Sequence, residues 1–327
     1  MKYIFLLFYI TLTNAFMFNN YVMLNRGYKD YSEQLKPRIA IIGSTGKLGS
    51  KVIKQLSKNK IPIKILNRYL DYENPNNNDK SCKLMRYYSK LPNIQIVNGD
   101  INDKNSLIEL LKDCDTCLSL QGSNRISKLT DIIYNAKTIL SHPINVNYYG
   151  IKNLLYAANK TNTKHIIRIS GNGENPWKLI TIIMNTLGSM CKAWNYAGEC
   201  LLREQISNYN INYTIIRPGI MGKNNRNENL KIKDNGNYLP ITKVSYNSIA
   251  NLCISCIGNN DIKDCTLTAM STNEKIKLTD QFANVKKDYR FFPNKTKILK
   301  QHYLLSYLFI SVLLFIFKNI IYFSFQI

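Results

Sequence analysis

Arg38-Ile-Ala-Ile-Ile-Gly43-Ser-Thr-Gly46-Lys-Leu-Gly49 is the stretch that decides the fold. A short apolar, β-rich run ends on a glycine. A helical period then begins at Lys47 and places Leu48, Val52, Ile53 and Leu56 on one face. Strand, glycine turn and helix in that order open a βαβ unit. Gly43 permits the sharp bend, Gly46 lets a pyrophosphate approach the backbone, and Gly49 lets helix and strand pack closely. The free main-chain N–H groups of the helix start then face an anion, and Ser44 and Thr45 add hydroxyl donors. The turn as a whole, Gly43, Ser44, Thr45, Gly46, Lys47, Leu48 and Gly49, is the candidate phosphate-binding segment of a dinucleotide site.

The pattern continues outward from this turn. β-rich runs are expected at 38–43, 62–67, 94–97, 116–120, 165–170, 212–217 and 265–270. Helical runs are expected at 47–58, 105–112, 146–159, 191–207 and 245–257. Apolar strands alternating with helices argue for a parallel sheet covered on both faces. The expected class is α/β, a doubly wound parallel-sheet Rossmann fold over 37–290, followed by a hydrophobic tail helix. The Asn-rich stretch 74–79 reads as a solvated loop.

Two further sites flank the glycine turn. The second strand ends at Asn67-Arg68, where a site selecting NAD usually carries an acidic residue for the ribose 2′-hydroxyl. A guanidinium there instead clamps a 2′-phosphate, so Arg68 favours NADP over NAD. The third strand runs into Gly99-Asp100-Ile101, which places Asp100 and Ile101 on the adenine side. A turn-forming role for Asp100 is the competing reading.

The 327 residues carry 44 Lys and Arg against 21 Asp and Glu, a net charge of +23. That excess invites a nucleic-acid reading. The basic residues are scattered, however, without an arginine-rich face or zinc-finger spacing, so no nucleic-acid partner is expected. Of eight cysteines, Cys114 and Cys117 form one Cys-x-x-Cys pair, and Cys253 and Cys256 another. A zinc site needs both pairs to converge. The second pair lies in an apolar helical run, so buried thiols are expected and no metal site.

The ends have their own character. Met1-Lys2, an apolar run to Leu12 and Thr13-Asn14-Ala15 have the form of a secretory signal peptide over 1–15. Residues 16–36 follow as a leader or linker. At the other end, Tyr303–Phe317 is an uninterrupted apolar run of 15 residues, and Lys318-Asn319 separates it from Ile320–Phe325. A span takes ~20 apolar residues, so 303–325 reads as a membrane-spanning or membrane-associated helix in which Lys318 snorkels or the helix tilts. Lys295, Lys297 and Lys300 before it favour a cytosol-like side for the domain. A signal peptide alone points to a lumen. The two agree if the signal is the first half of a two-part plastid address. This combination, with the Asn- and Lys-rich composition, resembles apicomplexan plastid proteins.

A family resemblance runs through the middle of the chain. Gly43–Gly49, Gly99-Asp100-Ile101, Asn147-Tyr-Tyr-Gly150-Ile-Lys-Asn-Leu-Leu155, Ile166-Ile-Arg-Ile-Ser170 and Tyr213-Thr-Ile-Ile-Arg-Pro-Gly219 stand in that order. Together they resemble an atypical short-chain dehydrogenase/reductase of the NmrA-like, plastid NAD(P)-binding type, over roughly 38–275. The resemblance implies that Gln121, Gly122 and Asn147 also line the cofactor.

In catalytic members of the wider family, a serine ends the fifth strand and Tyr-x-x-x-Lys stands on the next helix. Positions i and i+4 share a helix face, and the lysine charge lowers the tyrosine pKa for proton exchange. Here Tyr148–Lys152 and Tyr156–Lys160 match the spacing but precede the fifth strand, so both read as helix surface. Ser170 ends that strand, and the following helix carries Lys192 and Tyr196 in reversed order. Ser170, Lys192 and Tyr196 are the candidate catalytic residues. Two functions compete: an NADPH-dependent reductase or epimerase acting on a small apolar substrate at a membrane, and a non-catalytic NADP-binding scaffold, redox sensor or assembly factor. An insert at 123–143, with Leu129, Ile132, Ile133 and Ile139, suggests an extra helix, as a lid or as packing. Trp177 and the 180–184 run suggest an apolar pocket or core.

Overall fold

The computed structural model describes residues 38–324, except 124, 129–130, 132–138, 205–208, 223–227 and 235–238. The expected signal peptide and leader lie outside the described residues, as do Leu129, Ile132 and Ile133 of the expected extra helix.

The chain alternates as its apolar pattern requires. β1 (Ile39–Ile42), α1 (Lys47–Lys58), β2 (Ile63–Asn67), α2 (Lys80–Tyr88), β3 (Ile94–Asn98), α3 (Lys104–Leu111) and β4 (Thr116–Ser119) form the first half. A π-helical turn (Ile144–Tyr149) leads into α4 (Gly150–Thr161), then β5 (His165–Ile169), α5 (Leu179–Leu187), α6 (Cys191–Glu204) and β6 (Asn212–Pro218). β7 (Ile220–Gly222), β8 (Asn229–Asp234), β9 (Lys243–Ser245), α7 (Tyr246–Ser255), β10 (Cys265–Thr272), α8 (Leu278–Phe282) and α9 (Lys295–Ser324) complete it.

The main sheet has the order β3-β2-β1-β4-β5-β6-β10-β8. Its pairings are parallel except β10 with the edge strand β8. The order reverses between β1 and β4, and ligands of doubly wound sheets bind at that switch point. Alternation along β1 divides the core. Ile39 and Ile41 face α1 and α7, whereas Ala40 and Ile42 face α3, α4 and α6. Leu48, Val52, Ile53 and Leu56 of α1 are buried as expected, each contributing about 1.5–3 kcal/mol. Cys114 and Cys117 sit in one layer and Cys253 and Cys256 in the other, so the two pairs do not converge.

The Arg of the Thr-Ile-Ile-Arg-Pro-Gly strand end is structural. Arg217 is fully buried and pairs with Glu199 and Glu174. Arg203 adds Glu199 and Asp288, and Arg290 adds Glu174. Burial opposes the charge on Glu199, but the two guanidiniums hold its pKa down at about 2. This network ties the 288–293 segment to α6 and so sets where α9 begins.

α9 starts at Lys295, earlier than the expected boundary at 303. Its opening turns are part of the domain: Ile298, His302, Leu305 and Ser306 are buried. Beyond them Val312, Leu313, Leu314, Phe315 and Phe317 stand exposed. Among the described residues, Lys295–Tyr322 is the helix long and apolar enough to cross a membrane.

Candidate functional site

The carboxyl ends of the parallel strands surround a cleft of about 1050 Å³. Its first wall is the glycine turn. Gly43 has a φ of +88°, and a side chain there would stand 2.8 Å from the Gln121 nitrogen. A side chain at Gly49 would stand 2.1 Å from the Gly43 carbonyl oxygen, so helix and turn touch backbone to backbone. α1 begins at Gly46 without a side-chain cap, which leaves the N–H groups of its first turn for an anion. Gly43, Ser44, Thr45, Gly46, Lys47 and Leu48 line the cleft, whereas Gly49 lies behind it as the packing glycine. Ser44 is turned inward, its hydroxyl donating to the Leu66 carbonyl at 3.1 Å.

Arg68 lines the same wall and is exposed. Its guanidinium lies 5.3 Å from the Tyr69 ring centre and donates to the Tyr69 hydroxyl at 3.4 Å. Tyr69 and Ser81, which the sequence reading did not single out, line the cleft beside Arg68 and Thr45. Partial burial raises the Tyr69 pKa, but hydrogen bonds with Ser81 and Arg68 and the Arg68 charge bring it below its ordinary value. One guanidinium and three hydroxyls thus stand together at the end of β2. Asn67, by contrast, is a buried turn residue, bonded to Asn98 and to the Tyr69 backbone.

Asp100 and Ile101 line the cleft at the end of β3. Both readings of Asp100 have support. Its Oδ1 accepts from the Asn102 N–H and side chain at 2.9 and 2.7 Å, a turn contact, while Oδ2 is left over. The helix cap itself is Asp103, which accepts from Asn105 and Ser106.

Deeper in, Gln121, Gly122 and Asn147 line the cleft. Arg168 lies beneath them, fully buried, and burial pulls its pKa to about 10. It donates to the Ser119 hydroxyl, the Gln121 carbonyl, and the amide oxygens of Asn147 and Asn195 at 3.1–3.3 Å. The Oδ1 atoms of both asparagines are thereby engaged, and Asn195 Nδ2 stands at Gly171 in the cleft wall. Among the described residues one buried polar atom in its walls, Gln121 Nε2, has no hydrogen-bond partner, while the Ser170 hydroxyl faces the Glu199 carboxylate and helps to lower its pKa. A closely approachable backbone, an uncapped helix start and the orphaned Gln121 Nε2 are what a bound dinucleotide would complete, so the residues present fit that group.

The structure separates the candidate pair on α6. Lys192 lines the cleft with Asn195. A Cβ at Gly171 would stand 2.8 Å from Lys192 Nζ and 3.5 Å from Asn195 Nδ2, so both donors converge just past Ser170. Burial holds the Lys192 pKa below the ordinary lysine value, with Arg217 pushing the same way against Cys191 and Glu199. Tyr196 is a correction. It is fully buried, faces away from the cleft, and donates its hydroxyl to the Pro293 carbonyl at 2.6 Å. Four residues carry Tyr196 about 6 Å further along the helix axis, past the wall that Lys192 reaches, and the 288–293 segment claims the phenol. Tyr148 packs on Trp194, and Tyr156 lies under Lys104 and Lys160 on the surface, so neither Tyr-x-x-x-Lys match reaches the cleft.

The far rim mixes apolar residues with Ser123, Arg125 and Ser141. Ile126, Leu140, Met184 and Cys191 line it, with Met221 and Tyr246 opposite the glycine turn's side strands. The profile of the NAD(P)H-binding family matches residues 43–260. The chain belongs to that family. Its resemblance to atypical, NmrA-like short-chain dehydrogenases agrees with the relatives found. It is 24% identical over 259 residues to Protein TIC 62, chloroplastic, of Pisum sativum, covering 74% of this chain and 44% of that protein. It is 34% identical over 104 residues to phenylcoumaran benzylic ether reductase IRL1 of Ginkgo biloba, 32% of each chain. The chain thus spans less than half the length of these relatives. An oxidoreductase of Lactococcus lactis superposes with a TM-score of 0.54 at 18% identity, covering 75% of this chain and 95% of that one. A wide-type short-chain dehydrogenase/reductase of Veillonella parvula, solved with NADP, superposes at 0.53 and 12% identity, covering 72% and 94%. These likenesses carry the NAD(P)H-binding fold.

Proposed function

We propose that this NAD(P)H-binding protein is an NADPH-dependent reductase, held at a plastid membrane by α9, in which Lys192 supplies the proton. One observation carries the reading: Lys192 Nζ and Asn195 Nδ2 converge at Gly171, just past Ser170. Two donors at the strand-end of a dinucleotide cleft suit an oxygen that gains negative charge. Thr45, Arg68, Tyr69 and Ser81 would hold a 2′-phosphate, the α1 start the pyrophosphate, and Asp100 Oδ2 the adenine amino group. Gln121 and Asn147 would hold the deeper half. The bound dinucleotide would supply a hydride. Lys192 would give its Nζ proton to the substrate oxygen, and Asn195, fixed from below by Arg168, would orient that oxygen. The lowered pKa of Lys192 suits it to this acid role near neutral pH. The plastid setting is supported by the chloroplastic relatives, and the anchor by the exposed apolar length of α9.

Oxidation of NADPH by the full chain in liposomes, against a panel of carbonyl and enone compounds, tests the reading. Lys192→Met should lower turnover by about 10²–10⁴-fold, the usual worth of a positioned acid, and leave NADPH affinity unchanged. Tyr196→Phe should leave turnover within about two-fold, because its hydroxyl serves Pro293. The ammonium form donates, so the rate should be flat at low pH and fall as pH rises through a value below the ~10.4 of a free lysine. NADPH binding with no turnover on any compound would instead favour the scaffold reading.

A further inference from the structure

α5 is an amphipathic helix turned inside out. Its buried residues are Thr181 and Asn185, one turn apart and both polar. Its outer face carries Leu179, Ile180, Met184 and Leu187, and Trp177 precedes it with 66% of its surface exposed. Ile180, Met184 and Leu187 follow a 4-3 spacing, so they form one stripe, and Trp177 stands exposed just before the helix. In water such a helix would bury its apolar face and expose the polar one. Isolated exposed apolar residues need no explanation, but a continuous stripe over a polar inner face does.

The stripe adjoins a surface of the same kind. Asn185 Nδ2 bonds His302 Nδ1 at 2.9 Å, and His302 Nε2 lies 2.7 Å from the Gly173 carbonyl. α5 and the opening turns of α9 therefore meet through polar and small groups, as helices do in lipid. Leu304, Tyr307 and Leu308 of α9 are exposed. The stripe also reaches the cleft. The Ser127 N–H donates to the Leu187 carbonyl at 2.9 Å, which holds Ile126, 82% exposed, against the end of α5. Ile126, Leu140 and Met184 are at once cleft rim and outer surface.

We propose that the outer face of α5, with Ile126 and Leu140, is a membrane-docking surface, and that the substrate half of the cleft opens into the lipid it rests on. The occupant is a bilayer because the face is continuous with α9, the one described helix long enough to span it. At 9 residues α5 cannot span and lies in the boundary between headgroups and acyl chains. Lys178 at its start and the excess of Lys and Arg suit anionic headgroups. A substrate that reaches Lys192 by this route is an apolar, lipid-dissolved molecule with one reducible oxygen function. The inference rests on the reading of α9 as an anchor and of Lys192 as the proton donor.

The two tryptophans make the test direct. Trp194 is buried against Tyr148 and Tyr303, so a Trp194→Phe background leaves Trp177 as sole reporter. The full chain is reconstituted in vesicles of phosphatidylcholine and phosphatidylglycerol whose acyl chains are brominated at shallow or deep carbons. Shallow bromine should cut Trp177 emission by about half or more, because an interfacial helix sits ~5–10 Å deep, and aqueous iodide should have little effect. A second chain, Trp177→Phe, Trp194→Phe, Tyr322→Trp, reports α9 separately and should be quenched by bromolipid. Ile180→Glu with Leu187→Glu should restore iodide access to Trp177 and leave NADPH affinity unchanged. Iodide access to Trp177 while Trp at 322 is quenched by lipid overturns the docking surface and leaves the anchor standing. Protection of Trp177 from both quenchers overturns it too, since a protein then covers the stripe. Absence of lipid quenching at both positions removes the anchor and the docking surface together.

Discussion

Two of the helices that line the cleft, α1 and α5, are built with opposite polarity. α1 buries Leu48, Val52, Ile53 and Leu56 and sends Lys51, Lys54 and Lys58 outward or to the rim. α5 buries Thr181 and Asn185 and sends Ile180, Met184 and Leu187 outward. A helix orients by the contrast between its two surroundings, not by an absolute rule that apolar faces inward. α1 lies between a sheet and water. α5 lies between a hydrogen-bonded junction and, on the proposal above, lipid. On that proposal the cofactor half of the site is fastened to a water-facing layer and the substrate half to a membrane-facing one.

A pair of aspartates breaks this comparison if it is wrong. Val52→Asp places a carboxylate in a dry core with no partner, which should cost more than about 4 kcal/mol and abolish cooperative folding. Ile180→Asp, on the exposed face of α5, should change the unfolding free energy of the detergent-solubilised protein, read by urea titration, by no more than about 0.5 kcal/mol. Equal damage from both, followed by circular dichroism, would mean that the outer face of α5 is not exposed as described.

The inward face of α5 gives the next largest effect. Asn185 Oδ1 accepts from the Lys192 and Ala193 N–H groups at 2.9 and 3.2 Å, which caps α6, while its Nδ2 serves His302. Asn185→Leu is apolar and close in size, yet it strands two N–H groups and a ring nitrogen away from water. It should destabilise by about 2–4 kcal/mol, a lost cap plus buried unsatisfied donors. Turnover should fall as well, because the cap holds Lys192 at the cleft. Thermal unfolding and NADPH oxidation on the same preparation separate the two effects.

Much of the first wall was legible in the sequence and much of the second was not, for the same physical reason. The turn from Gly43 to Gly49 announces itself because backbone contact demands glycine at fixed spacing, and its helix shows a 3.6-residue period. The Ile180–Met184 run carries no such contrast. It reads as pocket or core, because sequence reading assumes that apolar means inward. β8 escaped because its alternation, with Leu230 and Ile232 buried between lysines, is short and sits in an Asn-rich setting. Tyr196 was misread because helix spacing places it with Lys192, whereas the distant Pro293 carbonyl decides where its hydroxyl goes. Tyr69 and Ser81 were missed because they meet only when β2 and the start of α2 come together at Arg68.

That last meeting gives the smallest effect and sharpens the comparison on the cofactor side. Arg68 is exposed and has no carboxylate within ion-pair reach among the described residues. Removing it should therefore leave stability almost unchanged and act on affinity alone. A charge-assisted bond is worth about 1.5–3 kcal/mol, so Arg68→Ala should weaken NADPH binding by about 10–100-fold and NADH binding little, as read by calorimetric titration. Ser81→Ala should repeat the loss more weakly, since a neutral hydroxyl donor contributes about 0.5–1.5 kcal/mol. Neither change should alter Trp177 quenching, because the β2 end and α5 belong to opposite walls of the cleft. If Arg68→Ala weakens both nucleotides equally, the guanidinium acts on the shared diphosphate, and the 2′-phosphate assignment of Arg68, Tyr69 and Ser81 is wrong.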